Sequence, residues 1–173
     1  MGQYYLAIVL GEKEESKPEV IRIFMEMQGS KLAEHAYLDN PSVKAFEYQL
    51  TREGMFYKSR VVWAGDYADK EPELEKNLYH ITEEFPNKFL VGAERNMIEY
   101  RYIINHTKKQ FVDKKNQQQF HPLPLLTAEG NGRGGGDYLG SDEKFIGIWA
   151  RDVISVEKDK PEGYEEFKCH FGQ

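Results

Sequence analysis

Arg133 stands among five glycines, Gly130, Gly132, Gly134, Gly135 and Gly136, in a run flanked by Glu129 and Asp137. Consecutive amides in glycine-rich backbone can form an anion-binding nest, and a guanidinium adds a planar fork for phosphate or carboxylate. Glu129 and Asp137 would repel such an anion unless a divalent cation bridged them. A long structural turn, with Arg133 paired to one of those acids, is the competing reading. Gly130, Gly132 and Gly135 also satisfy a GxGxxG pattern. A dinucleotide-binding fingerprint must open a helix, however, and the GDYLGSDEKF that follows has no helical stripe. A Walker loop is excluded, because Gly-Gly-Asp stands where Gly-Lys-Ser or Gly-Lys-Thr is required. Relative to alanine, five glycines cost roughly 2–5 kcal/mol through the unfolded state. The loop is therefore expected where backbone turns through positive φ or approaches something closely.

Asp152 is the second lead. A strand over 148–156 would place it on one face with Ile148, Ala150, Ile154 and Val156. A carboxylate on an apolar face needs a partner, since burying an unpaired charge costs several kcal/mol. Arg133, Arg60 or a metal could supply it, and a β-bulge would instead turn the side chain outward. Glu129, Asn131, Arg133, Asp137 and Asp152 thus form the candidate ligand-binding set. Asp66, Asp69, Asp137 and Asp142 could, with Asp152, hold a hard cation, so Mg²⁺ or Mn²⁺ is a possible cofactor. No spacing matches an EF-hand loop. Zinc has no ligand pattern, with one cysteine and five histidines at unsuitable spacings. His106 in NHTKK could serve as a general base or phosphate ligand, or sit as a hydrogen-bonded core or turn histidine. Cys169, beside Phe167 and Phe171, reads as a small core residue.

The elements that would position these residues follow from periodicity. Residues 4–10 (YYLAIVL) form a continuous apolar run of strand length, and residues 20–27 alternate as a half-buried strand. Asn40-Pro41 supplies an N-cap and a first-turn proline for a helix with Val43, Phe46 and Leu50 on one face, and Gly54 fits its C-terminal stop. A strand is expected at 59–64, and a second helix from about Glu71 to Glu84 with Leu74, Leu78 and Ile81 as its stripe. The rest reads as β: a hairpin with arms at 98–105 and 110–113, then LPLLTAE, FIGIWARDVISV and YEEFKCHF. Two main helices amid six or more strands predict one α+β domain over 1–173, with a mostly antiparallel sheet. The triplet GDY occurs at Gly65–Tyr67 and again at Gly136–Tyr138.

A chain of 173 residues can bury a sizeable core without staples. Its net charge of −6 argues against non-specific binding to a nucleic-acid backbone. Lys108-Lys109 and Lys114-Lys115 read as solvated hairpin charges. No apolar run approaches a membrane span. The N-terminal residues have no basic region, cleavage site or myristoylation pattern, so a cytoplasmic protein is expected.

MGQYY at Met1–Tyr5, VWAGDYAD at Val62–Asp69, NHTKK at Asn105–Lys109, HPLPLLTAEGNGRGGGDY at His121–Tyr138 and WARDVISVEK at Trp149–Lys158 carry a resemblance. The chain resembles an uncharacterised family of phage, prophage and bacterial proteins that open with MGQYY and share these blocks. The resemblance implies a phage or mobile-element setting and brings no activity, cofactor or residue role. The leading expectation is an accessory protein that binds a ligand or partner through loop 130–136. The alternatives are a divalent-metal enzyme acting on a phosphate-containing substrate, with His106 moving protons, and a structural or assembly protein.

Overall fold

The computed structural model describes residues 3–12, 21–25, 31–84, 88–89, 95–131 and 136–172, with 22–25 and 88–89 as backbone alone. Arg133 and Gly132, Gly134 and Gly135 lie outside the described residues. The described strands are β1 Tyr5–Leu10, β2 Ile21–Met25, β3 Ser59–Gly65, β4 Lys88–Phe89, β5 Tyr102–Asn105, β6 Gln110–Asp113, β7 Ala128–Glu129, β8 Val153–Glu157 and β9 Glu165–Glu166. All belong to one sheet of order β4-β2-β1-β3-β8-β5-β6-β9, with β7 also pairing β3. The main path is antiparallel, and three short pairings, β2 with β4, β3 with β7 and β6 with β9, are parallel. The chain is α+β.

Every residue of β1 is buried, and its two faces serve different cores. Tyr5, Ala7 and Val9 pack with Phe46, Trp63, Leu126 and Trp149 in the larger cluster. Leu6, Ile8 and Leu10 pack with Ile21, Val62, Ala64 and Leu78 in the smaller one. Burial on both faces is why this strand reads as an unbroken apolar run rather than an alternation.

The helices are α1 Leu32–His35, α2 Pro41–Gln49, α3 Leu78–Ile81 and α4 Pro122–Leu126. Asn40 caps α2 through Oδ1, which accepts the Ser42 amide at 2.9 Å. Gly54 does not end α2 as a left-handed cap. It lies where an added Cβ would come within 2.3 Å of the Tyr48 carbonyl oxygen, so close approach is what requires glycine there. The expected helix 71–84 shrinks to α3, followed by a 3₁₀ turn over Thr82–Glu84. Two residues explain this. Asn77 caps α3 by accepting the His80 amide while its Nδ2 donates to the carbonyls of Asp66 and Ala68. Glu73 takes a left-handed φ of 62°, which breaks any helix running through it. LPLLTAE is likewise mostly α4, opened by His121 as N-cap and Pro122 in the first turn.

A buried polar cluster ties α2 to β6 and α4. Glu47, 1 % exposed, accepts from His121 Nε2 at 2.8 Å and from Lys114 Nζ at 2.5 Å. His121 Nδ1 accepts the Leu123 amide, so the imidazole proton sits on Nε2 and points at Glu47. Burial pushes the Glu47 carboxyl up, but Lys114 and His121 together outweigh it and hold it down at about 2. Lys114 is thus a paired cation rather than a solvated hairpin charge.

Candidate functional site: a cleft beside the glycine loop

The cleft arises from a change of partner along one edge of β3. Ser59 and Arg60 pair with Ile154 and Val153 of β8. Three residues on, Trp63 and Ala64 pair with Ala128 and Glu129 of β7. Between them, Val61 donates to the Asp152 carbonyl and accepts from the Arg151 amide. Arg151 has φ of 69°, a strained conformation for a side-chain-bearing residue, at the point where the chain leaves β3. Strand β8 therefore starts at Val153, and the expected strand over 148–156 is a string of turns up to Arg151. Gly147, at φ of 78°, lets this segment press against β7, where a Cβ would meet the Ala128 carbonyl oxygen at 2.5 Å.

The side chain of Arg151 lies between two carboxylates. Its Nε and Nη2 donate to Glu129 at 2.6 and 2.8 Å. Its Nη1 and Nη2 donate to Glu71 at 3.1 and 2.5 Å. Glu71 is 3 % exposed, and Arg151 and Glu129 are each 23 % exposed. Burial works against the charged guanidinium, yet the two carboxylates more than compensate and raise its pKa further above the usual arginine value. Such a pair of forks fixes both carboxylates in one plane each, which is the geometry arginine provides and lysine does not.

These groups line a cavity of about 500 Å³ together with Asp69, Lys70, Lys108 and Gly130. Lys108 is committed to Asp152 at 2.5 Å, and Lys70 faces Glu75 at 3.6 Å. With those partners counted, five carboxylates (Asp69, Glu71, Glu75, Glu129 and Asp152) stand against three cations (Lys70, Lys108 and Arg151). On the described lining itself Asp69, Glu71 and Glu129 balance Lys70, Lys108 and Arg151, and each of those three cations is already paired with a carboxylate. An anion would have to displace Glu71 or Glu129 from Arg151, a poor exchange in a partly buried site.

The expected residues separate accordingly. Glu129 and Asp69 line the cleft. Asp152 adjoins it, bonded to Lys108 and to Asn105 Nδ2 at 2.8 Å, so its partner is Lys108 rather than Arg60. Asn131 is exposed, and its amide donates to Gln3 Oε1 at 3.1 Å. Asp137 accepts the Ala33 amide at 3.0 Å at the start of α1. Asp66 accepts the Tyr4 amide at 3.0 Å, and Asp142 the His170 amide at 2.7 Å. Among the described residues, no three His, Cys, Asp or Glu side chains gather into a set that could hold a metal ion. Asp66, Asp69, Asp137 and Asp142 accordingly do not converge. Cys169 is buried and its thiol is pushed up to about 12, by burial first and by Asp142 second.

Arg151 and Glu71 are the residues that the sequence did not reveal. Arg151 was masked by its neighbour Asp152, and Glu71 by a helix pattern that it does not join.

The two GDY triplets clasp one side chain. An added Cβ on Gly65 would lie 3.0 Å from the Tyr5 ring, and one on Gly136 would lie 3.1 Å from it. Burial and the charges of Asp137 and Asp66 together raise the Tyr5 pKa. Gly136 also has φ of 59°. Gly136→Ala is expected to destabilise the fold by roughly 1–3 kcal/mol through strain and overpacking, read as a lower urea midpoint. An unchanged midpoint would show that the clasp does not hold.

No family model matches the chain, and comparison with curated proteins and with solved structures gives no match either. Among the described residues, no helix is long and apolar enough to cross a membrane.

Proposed function

We propose that this chain is a ligand-binding protein rather than an enzyme, and that the Arg151 cleft takes a small ligand bearing an ammonium or guanidinium group. The observation that carries this reading is Glu129, partly exposed on the lining and held in fixed orientation by Arg151, which the buried Glu71 fixes in turn. Carboxylates already oriented by the protein lose little freedom on binding a cation, which is the advantage of a preorganised site. With the partners Glu75 and Asp152 counted beside the lining, five carboxylates against three cations support the same charge preference. Gly130, the first residue of the glycine loop, lines the same cavity. Binding is favoured over catalysis because Glu71, Glu129, Lys108 and Arg151 on the lining are committed to ion pairs, Lys108 with Asp152 and Arg151 with the two glutamates.

In the phage or mobile-element setting that the resemblance suggests, a cytoplasmic protein of this kind would act as an accessory that sequesters or senses a small amine. The divalent-metal enzyme and the assembly protein remain the alternative readings, and no specific observation raises either above the binding reading.

A thermal-shift screen tests the proposal, using agmatine, arginine, spermidine, sorbitol and inorganic phosphate as probes. A ligand at a hundred times its dissociation constant adds about 2.7 kcal/mol. For a chain of this size that is roughly 5–10 °C. The expected result is a shift with a guanidine or amine that Glu129→Gln abolishes. A shift with phosphate alone, or one indifferent to Glu129→Gln, would contradict it.

A further inference from the structure

The turn that gives Lys108 to the cleft gives His106 to a second cavity of about 500 Å³, bounded by the turn before β3 and by residues 157–164. His106 Nε2 lies 2.7 Å from Ser155 Oγ, and its Nδ1 lies 2.9 Å from the Tyr164 hydroxyl. Ser155 Oγ donates its one proton to Glu157 at 2.8 Å. His106 must therefore carry its proton on Nε2, and its Nδ1 accepts from Tyr164. The contact between Ser155 and His106 is not a nucleophile–base pair. Ser155 is fully buried and its proton is committed to Glu157.

The walls suit a ring with an anion attached. Tyr57, Tyr100 and Tyr164 all line the cavity, and their hydroxyls are occupied by Glu157, Glu53 and His106. What they offer a ligand is the aromatic surface left beside Arg52, which lies 5.0 Å from the centre of the Tyr57 ring, and Lys158, 5.0 Å from that of Tyr100. Lys58 and Lys160 line it too, and among the described residues neither has a carboxylate partner. Lys58 instead lies 5.3 Å from the centre of the Tyr57 ring, and Lys160 5.6 Å from that of Phe111. Glu157 is satisfied by Arg52, Tyr57 and Ser155. Asp159 and Glu162 lie on the same lining and would repel a phosphate set beside them, but can accept hydroxyl hydrogens.

We propose that this cavity is a second binding site, for a phosphorylated ligand with a planar ring, a nucleoside monophosphate being the simplest case. The ring stacks among the tyrosines, Lys58 and Lys160 take the phosphate, and Asp159 and Glu162 accept sugar hydroxyls. What sets this cavity apart from the cleft is its two lysines, Lys58 and Lys160, which have no carboxylate partner among the described residues.

Titration calorimetry of the full chain with adenosine 5′-monophosphate, adenosine and inorganic phosphate tests the site. The monophosphate is expected to bind more tightly than either part alone. The double variant Lys58→Gln, Lys160→Gln should weaken it by about tenfold or more, as loss of charged hydrogen bonds implies, and leave adenosine unchanged. Both lysines are exposed, so the variant is expected to unfold at the wild-type midpoint, which the same preparation can confirm. Monophosphate binding that survives the double variant overturns the proposal. So does the absence of binding at millimolar concentration, or binding of phosphate alone as tight as that of the nucleotide.

Discussion

Arg151→Met should lower stability by about 3–5 kcal/mol, because it removes one member of a buried charge cluster and leaves two carboxylates facing each other. Glu71 is almost fully buried, so it cannot turn to water for the lost hydrogen bonds. The companion Glu129→Gln is expected to cost far less, since Glu129 is partly exposed and Glu71 still neutralises the guanidinium. The large effect should thus belong to Arg151 and Glu71, with the smaller one at Glu129. Urea unfolding of the three single variants, Arg151→Met, Glu71→Gln and Glu129→Gln, checks that order. Equal losses below about 1 kcal/mol, the range of surface pairs, would mean that the cluster is a solvated surface network.

Acid should weaken the cluster around Glu47. Its carboxyl titrates at about 2 in the folded protein against an ordinary 4.5. A carboxyl lowered by folding contributes stability that is present above the ordinary value and is lost as pH falls toward the folded value. The shift corresponds to roughly 3 kcal/mol. Glu47→Gln is therefore expected to be less stable than the wild type by about that amount at pH 7. The gap should narrow between pH 4.5 and pH 2 as the wild type loses its advantage. Comparing the two chains removes the contribution of the other carboxyls. Unfolding free energies that stay a constant distance apart across that window would contradict the assignment.

The parts of the fold written locally in the chain were readable from it. Asn40-Pro41 announces α2 because capping is a property of adjacent residues. The apolar run of β1 announces a strand buried on both faces. The helix expected over 71–84 fails for reasons that no stripe displays, the positive φ of Glu73 and the Asn77 cap, and Glu71 is held instead by Arg151, eighty positions away. Asp152 was recognisable as an acid in need of a partner, but that partner, Lys108, comes from a hairpin turn. Its expected place on an apolar face vanished because Arg151 adopts a positive φ just before β8. The glycine loop leads to the cleft through Glu129, which lines it. Its acidic neighbours Asp137 and Asp142 are instead consumed by the amides of Ala33 and His170.

The most direct test of the cleft is a titration of ¹⁵N-labelled protein with agmatine, followed by amide chemical shifts. Binding in the cleft predicts the largest changes at Glu129, Gly130, Gly147 and Arg151, with the amides around His106 and Tyr164 unmoved. Changes confined to the His106 cavity, or none up to millimolar agmatine, would contradict the account of the cleft as an amine or guanidine site.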